Sequence, residues 1–286
     1  EDPTLPAISI AAYPETLWDN HIGIYENLLK SREIPASVEF YELDGSSGFS
    51  LDAGLRLSGQ ASFYYPQKSL TISATDKFGP DEIRYQVFPN RDLYRFKDIY
   101  LRNSGCADNR HTMFRDALQH SLVINQMDID CQAYRPAMTF INGEYWGIYN
   151  VREKVNADYL AAHHNIDPRN LDYLEYDFDS SPTLLVIEGD HDSYNALLDF
   201  VQSNDLTQKK NYDHVKSQID MDELLNYLIT EIYCDNINWP YTNMRWWRER
   251  KEGSKWRWVL LDMDWGFGVV YPGFTSRYSD NALNLV

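Results

Sequence analysis

The chain has 286 residues, with 26 Lys and Arg against 43 Asp and Glu, a net charge of −17. That length can bury a core as one large domain or as two lobes, and the acidity argues against nucleic acid or anionic membrane as a partner because both would be repelled. There is no run of eighteen apolar residues, so no transmembrane segment is expected. The amino-terminal EDPTLP is neither basic nor apolar, so the chain is expected to start after any signal peptide or to be part of a larger multidomain protein.

Strand and helix signals alternate along the chain, which points to a mixed α and β class. ISIAA (8–12) reads as a short strand and PETLWDNHIGIYEN as a helix or loop that turns at Gly23. VEFYELDG (38–45) and FSLDAGLRLSG (49–59) read as two strands joined across Gly45 and Gly48, a hairpin in preference to a phosphate cradle. In RLSGQASFYYPQKSLTIS (56–73), Arg56, Gly59, Ser62 and Lys68 bracket a loop, and Pro66 fixes the chain just before a strand. A lysine there either snorkels to solvent or holds an anion; beside a nucleotide site, the anion is the better reading.

DIYLRNSG (98–105) reads as a strand and turn. The following 108–126 reads as a helix with Phe114, Leu118 and Leu122 on its apolar line and Asn109 or Thr112 as cap. Arg115 lies near its first turn, within reach of Asp108 or Asp116. YRPAMTFINGEYWGIYNVRE (134–153) is a hairpin about Asn142-Gly143, because that dipeptide accepts positive φ at both turn positions. Glu153 ends its second strand. A short helix, NADYLAAHHN, follows, and its His163 and His164 diverge by about 100° and read as surface residues. Residues 167–193 are acidic and turn-rich, and SYNALLDFVQSN is a helix. Residues 221–236 form another helix, with Asp220 and Glu223 in capping-box spacing and Leu224, Leu228 and Ile232 on one face. The cysteines Cys106, Cys131 and Cys234 lack zinc spacing. Cys106 and Cys131 could bridge, but buried thiols are the simpler expectation.

The most informative stretch is 235–268, DNINWPYTNMRWWRERKEGSKWRWVLLDMDWGFG. Pro240 ends any helix by Trp239, so Asn238 to Asn243 form a loop. Residues 256–264 read as a mostly buried strand, and alternation would put Asp262 and Asp264 on one face, roughly 7 Å apart. Two carboxylates at the edge of a core repel and resist desolvation, so a hard divalent ion is expected there, with the Asn243 carbonyl as a further ligand. The plainer reading is a turn cap before Gly266 and an arginine partner. The order of parts favours the metal: protein kinases carry a catalytic-loop Asp, an Asn five residues later, then a strand ending in a metal-binding Asp. Asn238 stands at the first position, Asn243 at the second, and Asp262 or Asp264 at the third.

With those motifs in view, the sequence resembles the CotH kinase family of spore-coat-protein-H-like atypical kinases. The resemblance runs from GIY (23–25), through Arg56, Gly59 and Ser62, YPQKSL and LRNSG, to NGEYWGIYNVRE and LLDMDWGFG. It implies an α+β, kinase-like two-lobed fold over 1–286, an antiparallel-sheet lobe near 1–152 and a more helical lobe near 153–286, with the family domain continuing past this chain. It also implies ATP with Mg²⁺ or Mn²⁺, and transfer to Ser or Thr of secreted or surface proteins, outside the cell or on its surface. Lys68 takes the place of the phosphate-binding lysine, with Arg56, Ser62, Arg115 and Glu153 on the nucleotide side. The helix of Arg115 corresponds to the kinase αC helix, and Glu153 lies near the hinge. Asn243, Asp262 and Asp264 are the metal candidates, and Asn238 with the two aspartates the catalytic ones. One departure matters. Resembling family members usually carry Asp where this chain has Asn238, and an amide cannot take the hydroxyl proton. Alternatives are therefore a nucleotide-binding pseudokinase, a nucleotide-sugar transferase using Asp262-Met263-Asp264, and a glycan-binding protein stacking sugars on Trp246, Trp247 and Trp265.

Overall fold

The computed structural model describes residues 4–28, 32–59, 61–177, 183–240 and 242–268. The chain divides into two compact units, Glu1–Ala117 with Ala133–Tyr159, and Leu118–Gln132 with Leu160–Val286. The elements in chain order begin with β1 (Ala7–Ala11), α1 (Pro14–Trp18), β2 (Ile34–Tyr41), β3 (Ser47–Leu57) and β4 (Leu70–Ser73). Next come β5 (Ile83–Arg84), β6 (Arg95–Phe96), β7 (Asp98–Arg102), α2 (Gly105–Asp108) and α3 (Arg115–Val123). The hairpin β8 (Tyr134–Ile141) and β9 (Glu144–Glu153) precedes α4 (Ala157–His164), β10 (Leu171–Asp177) and β11 (Thr183–Glu188). The remainder is α5 (Asp192–Ser203), α6 (Lys209–Gln218), α7 (Met221–Tyr233), β12 (Met244–Glu249) and β13 (Arg257–Val259). Among the described residues no helix is long and apolar enough to cross a membrane.

The class is mixed α and β, as the sequence indicates. The antiparallel-sheet lobe that the resemblance implies takes the form of a closed barrel in the first unit, in the order β1-β2-β3-β4-β7-β9-β8, with one parallel pairing, β1 with β8. Closure depends on β1, which pairs antiparallel with β2 and parallel with β8, Ile8 lying opposite both Phe40 and Thr139. A closed sheet has no unpaired edge to protect. The sequence supports it through alternation: in β2, Ile34, Ala36, Val38 and Phe40 are buried while Pro35 and Ser37 face outward. The β8–β9 hairpin turns at Asn142 (φ 52°) and Gly143 (φ 82°), the backbone its sequence predicts. The β2–β3 pairing is likewise antiparallel as expected.

The first unit also buries charge. Arg152 is fully buried and ion-paired with buried Asp116, with the Arg102 Nε 3.8 Å from the same carboxylate. Glu153 accepts from the Ala133 amide at 2.7 Å and faces Arg91 at 3.5 Å.

The second unit carries a four-stranded sheet, β11-β10-β12-β13. This corrects the turn-rich reading of 167–193, since β10 and β11 occupy much of it. Their acidic residues are tolerated because arginines on β12 and beyond face them: Arg245 pairs with Glu175 at 2.8 Å and Arg248 with Asp172 at 3.1 Å. Trp246, Trp247 and Trp256 are core residues, and Tyr194 packs on Trp246 and Trp256. The first two therefore offer no stacking platform for sugars. None of the three cysteines is in a disulfide.

Two helix faces differ from expectation for one reason. Phe114, Leu118 and Leu122 are 46%, 39% and 50% exposed, whereas Asp116, Gln119 and His120 of α3 are buried. On α7 the buried line is Glu223, Tyr227, Thr230 and Glu231, while Ile232 is exposed. Polar side chains turn inward where a specific partner waits. Glu223 accepts from the Trp258 amide at 2.9 Å instead of closing a capping box, and the Gln132 amide donates to His120 Nδ1 at 3.1 Å. The helix expected from residue 108 starts at Arg115, because the Asp108 carboxylate accepts the amides of Thr112 and Arg115 at 3.0 and 2.9 Å. His164 is not a free surface residue either; its Nε2 lies 2.7 Å from buried Asp130, which also accepts from Trp247 Nε1.

Candidate functional site

The candidate residues divide between the two units: Arg56, Ser62, Lys68, Arg115 and Glu153 in the first, Asn238, Asn243, Asp262 and Asp264 in the second. Each group is built by its own local structure.

In the second unit α7 ends at Tyr233 and delivers the loop 234–243. Asn236 is buried and anchors it, donating Nδ2 to Glu231 at 2.9 Å and approaching Met263 Sδ at 3.4 Å. The amide of Phe267 donates to the Cys234 carbonyl at 2.6 Å, so the loop is tied to the turn that follows β13. Gln119 of α3 donates to the Met263 carbonyl at 2.6 Å and fixes the backbone between the two aspartates. Sequence reasoning passed over Gln119, Asn236 and Glu231, since nothing in a local window marks a mid-helix Gln or Glu as inward-facing.

The geometry of the aspartates corrects the strand argument. Regular β13 stops at Val259; Asp262 has φ 52° and Asp264 lies in a 3-10 turn, Met263–Trp265. Strand alternation therefore does not relate them. Asp264 is buried and Asp262 half-exposed. Asn243, also left-handed at φ 61°, donates Nδ2 to Asp262 Oδ2 at 2.8 Å. Asn and Asp are the non-glycine residues that enter this region most readily, which accounts for their presence at both positions. Asn238 is half-exposed; its carbonyl accepts from the Thr242 amide at 3.2 Å.

The structure brings two oxygen-bearing side chains together here, Asn243 and Asp262, while Asp264 is buried two residues further on in the 3-10 turn. Among the described residues no group of three or more His, Cys, Asp or Glu is placed to hold a metal alone. Oxygen donors of this kind could hold a hard divalent ion only with further ligands from water or substrate. Mg²⁺ ordinarily takes one or two carboxylates and completes its shell with water and substrate phosphates.

Buried carboxylates lie behind the site. Burial pushes Glu231 up to about 8, against the Asn236 and Tyr227 hydrogen bonds and aided by the charge of Asp262. Burial likewise pushes Glu223 up to about 9.

In the first unit Lys68 sits just before β4 and is buried, so it does not snorkel to solvent. Its ammonium donates to the carbonyls of Phe63 and Tyr65 at 2.8 and 3.1 Å and lies 5.1 Å from the Tyr25 ring centroid. Burial lowers its pKa, partly offset by Glu26. Ser62 is buried, and Gly59 at φ 99° packs so closely on its hydroxyl that a Cβ would collide. That close approach explains the Gly59, Ser62 spacing. Arg56 is half-exposed on β3, opposite Thr71. Arg115 lies 3.5 Å from buried Asp108, one of the two partners foreseen. Glu153 is held by Ala133 and Arg91 as described.

Comparison with known proteins adds the last observation. No curated protein matches the chain. The family model described as CotH kinase protein matches residues 55–283, which span Ser62, Lys68, Asn243 and both aspartates. A match over most of the chain, on a fold that brings the loop amide to the Asp262 carboxylate, places this protein in the CotH kinase family.

Proposed function

We propose that the protein binds ATP with Mg²⁺ or Mn²⁺ and transfers the γ-phosphoryl group to Ser or Thr hydroxyls of secreted or surface proteins. Within the family the observation that supports this most is the Asn243–Asp262 hydrogen bond, which assembles an oxygen-donor set from two distant stretches of one unit. Asp262, Asp264 and Asn243 would hold the ion, which when bound supplies charge neutralisation at the phosphates. Lys68, held by its own loop within the first unit, would act as a fixed cation toward a phosphate. In the transfer the acceptor oxygen bonds to the γ-phosphorus, the bond from that phosphorus to the bridging oxygen breaks, and ADP leaves. The hydroxyl proton departs to solvent or phosphate, because Asn238 cannot accept it.

That last point favours one second reading, a nucleotide-binding pseudokinase. The residue that distinguishes the two is Asn238, since loss of a general base costs about 10²- to 10⁴-fold, whereas phosphoryl transfer rests mainly on positioning and charge. The working place proposed is outside the cell or on its surface.

The test is thermal unfolding with and without millimolar ATP and Mg²⁺, followed by incubation with labelled ATP and generic acceptor proteins. A ligand that binds only the folded state raises the melting temperature. An unchanged melting curve would count against both readings; stabilisation without labelling would leave the pseudokinase.

A further inference from the structure

Asn103, immediately after β7, is fully buried and spends most of its side-chain hydrogen bonds on one loop. Its Nδ2 donates to the carbonyls of Gln67 at 2.7 Å and Ser62 at 3.3 Å. Its Oδ1 accepts from the Ser69 hydroxyl at 2.8 Å and the Gly105 amide at 3.3 Å. The Asn103 amide donates to Ser69 Oγ at 3.0 Å. The clamped segment, 62–69, contains both carbonyls that hold the Lys68 ammonium. Two further tethers act on the same segment: Tyr65 donates its hydroxyl to the Cys106 carbonyl at 2.9 Å, and Tyr25 to the Pro66 carbonyl at 2.9 Å.

The chemistry selects an amide. Leucine would fill the volume but withdraw the side-chain donor from the Gln67 and Ser62 carbonyls, leaving Ser62 the long Tyr65 amide contact at 3.4 Å, and aspartate would turn a carboxylate oxygen against them. Two of the three donors of the Lys68 ammonium are already used on Phe63 and Tyr65, so the direction of its charge is set by the loop rather than by the lysine's own four-carbon stem.

We infer that Asn103 is a positioning residue: it fixes the 62–69 loop, the loop carbonyls fix the Lys68 ammonium, and the ammonium is thereby aimed before any anion arrives. The functional half of this rests on the proposed nucleotide reading, in which the anion is a phosphate of ATP; the structural half does not. Preorganisation of this kind lowers the cost of binding, since a loose lysine would have to be ordered by the ligand.

The experiment acylates the full chain with a small amine reagent and reads each lysine by mass spectrometry, with Lys97 of the same unit as internal reference. Asn103→Ala is expected to raise Lys68 labelling relative to Lys97 by about tenfold, the factor that corresponds to one lost hydrogen bond to a buried group, and to weaken ATP–Mg²⁺ binding. Tyr65→Phe removes a single tether and should shift Lys68 the same way by less; it carries the test should Asn103→Ala fail to fold. Lys68 and Lys97 moving together in the folded variants would make Asn103 merely structural and overturn the inference. A parent protein that ATP does not stabilise would overturn the nucleotide reading, while the labelling still decides the role of Asn103. ATP binding in the parent with Lys68 labelling unchanged in the variants would sink the inference alone.

Discussion

The Asn243 amide donates to the Asp262 carboxylate at 2.8 Å, across a separation of nineteen residues in the chain, and both residues hold left-handed backbone. The contact leaves the amide oxygen of Asn243 as the atom suited to a cation, with the Asp262 charge beside it. Asn243→Gly tolerates φ 61° without strain and so removes the side chain alone; Asp262→Asn keeps the shape and removes the charge. Both variants should stay folded, with stability changed by about 1 kcal/mol. The stabilisation by ATP with Mg²⁺ should fall in the first and vanish in the second. Full retention of the shift in Asp262→Asn would remove this carboxylate from the metal site.

Asn238→Asp restores a proton acceptor on the loop that Asn236 anchors. Phosphotransfer should rise by about 10²- to 10⁴-fold with ATP affinity unaltered. Initial rates with labelled ATP and a nucleotide titration separate the two quantities. Equal rates in parent and variant would show that position 238 does not carry the proton.

Stability should fall as pH rises from weakly acidic to weakly basic. Glu223 and Glu231 are held protonated in the fold up to about 9 and about 8, chiefly by burial, against an ordinary value of 4.5. Between those limits the folded chain binds more protons than the unfolded chain, so this contribution is fully present below 4.5 and lost as pH passes through the folded values. Melting midpoints from about pH 5 to about pH 8.5 should decline, and Glu231→Gln should flatten the decline. A midpoint that climbs over this range in the parent and not in Glu231→Gln would reverse the assignment.

The barrel unit depends on its interior charges being paired. Arg152→Ala removes the fully buried guanidinium paired with the Asp116 carboxylate, from which the Arg102 Nε lies 3.8 Å, and should destabilise by about 3 kcal/mol in denaturant unfolding. Arg152→Met combined with Asp116→Leu removes both charges and should recover most of that loss. Equal destabilisation by the single and double changes would mean that packing rather than charge is at stake.

The sequence by itself determined the elements that local chemistry dictates. Asn142-Gly143 set a hairpin because both residues accept positive φ, β2 showed its buried face by alternation, and the Asn238 to Asn243 loop was legible from Pro240. The family signature in LLDMDWGFG and NGEYWGIYNVRE was legible too, since motif residues lie close together in the chain.

Only the tertiary structure decided the rest. Barrel closure needs β1 to meet β8 from more than a hundred residues away, and no window contains both strands. Asp262 and Asp264 looked like neighbours on one strand face, but the backbone turns left-handed at Asp262 and separates a half-exposed carboxylate from a buried one. The inward faces of α3 and α7 are polar because Met263, Trp258 and Gln132 supply partners from elsewhere. Propensity and periodicity describe what a segment prefers alone; a buried hydrogen bond is formed with whatever the fold brings beside it, and that partner is invisible in the segment.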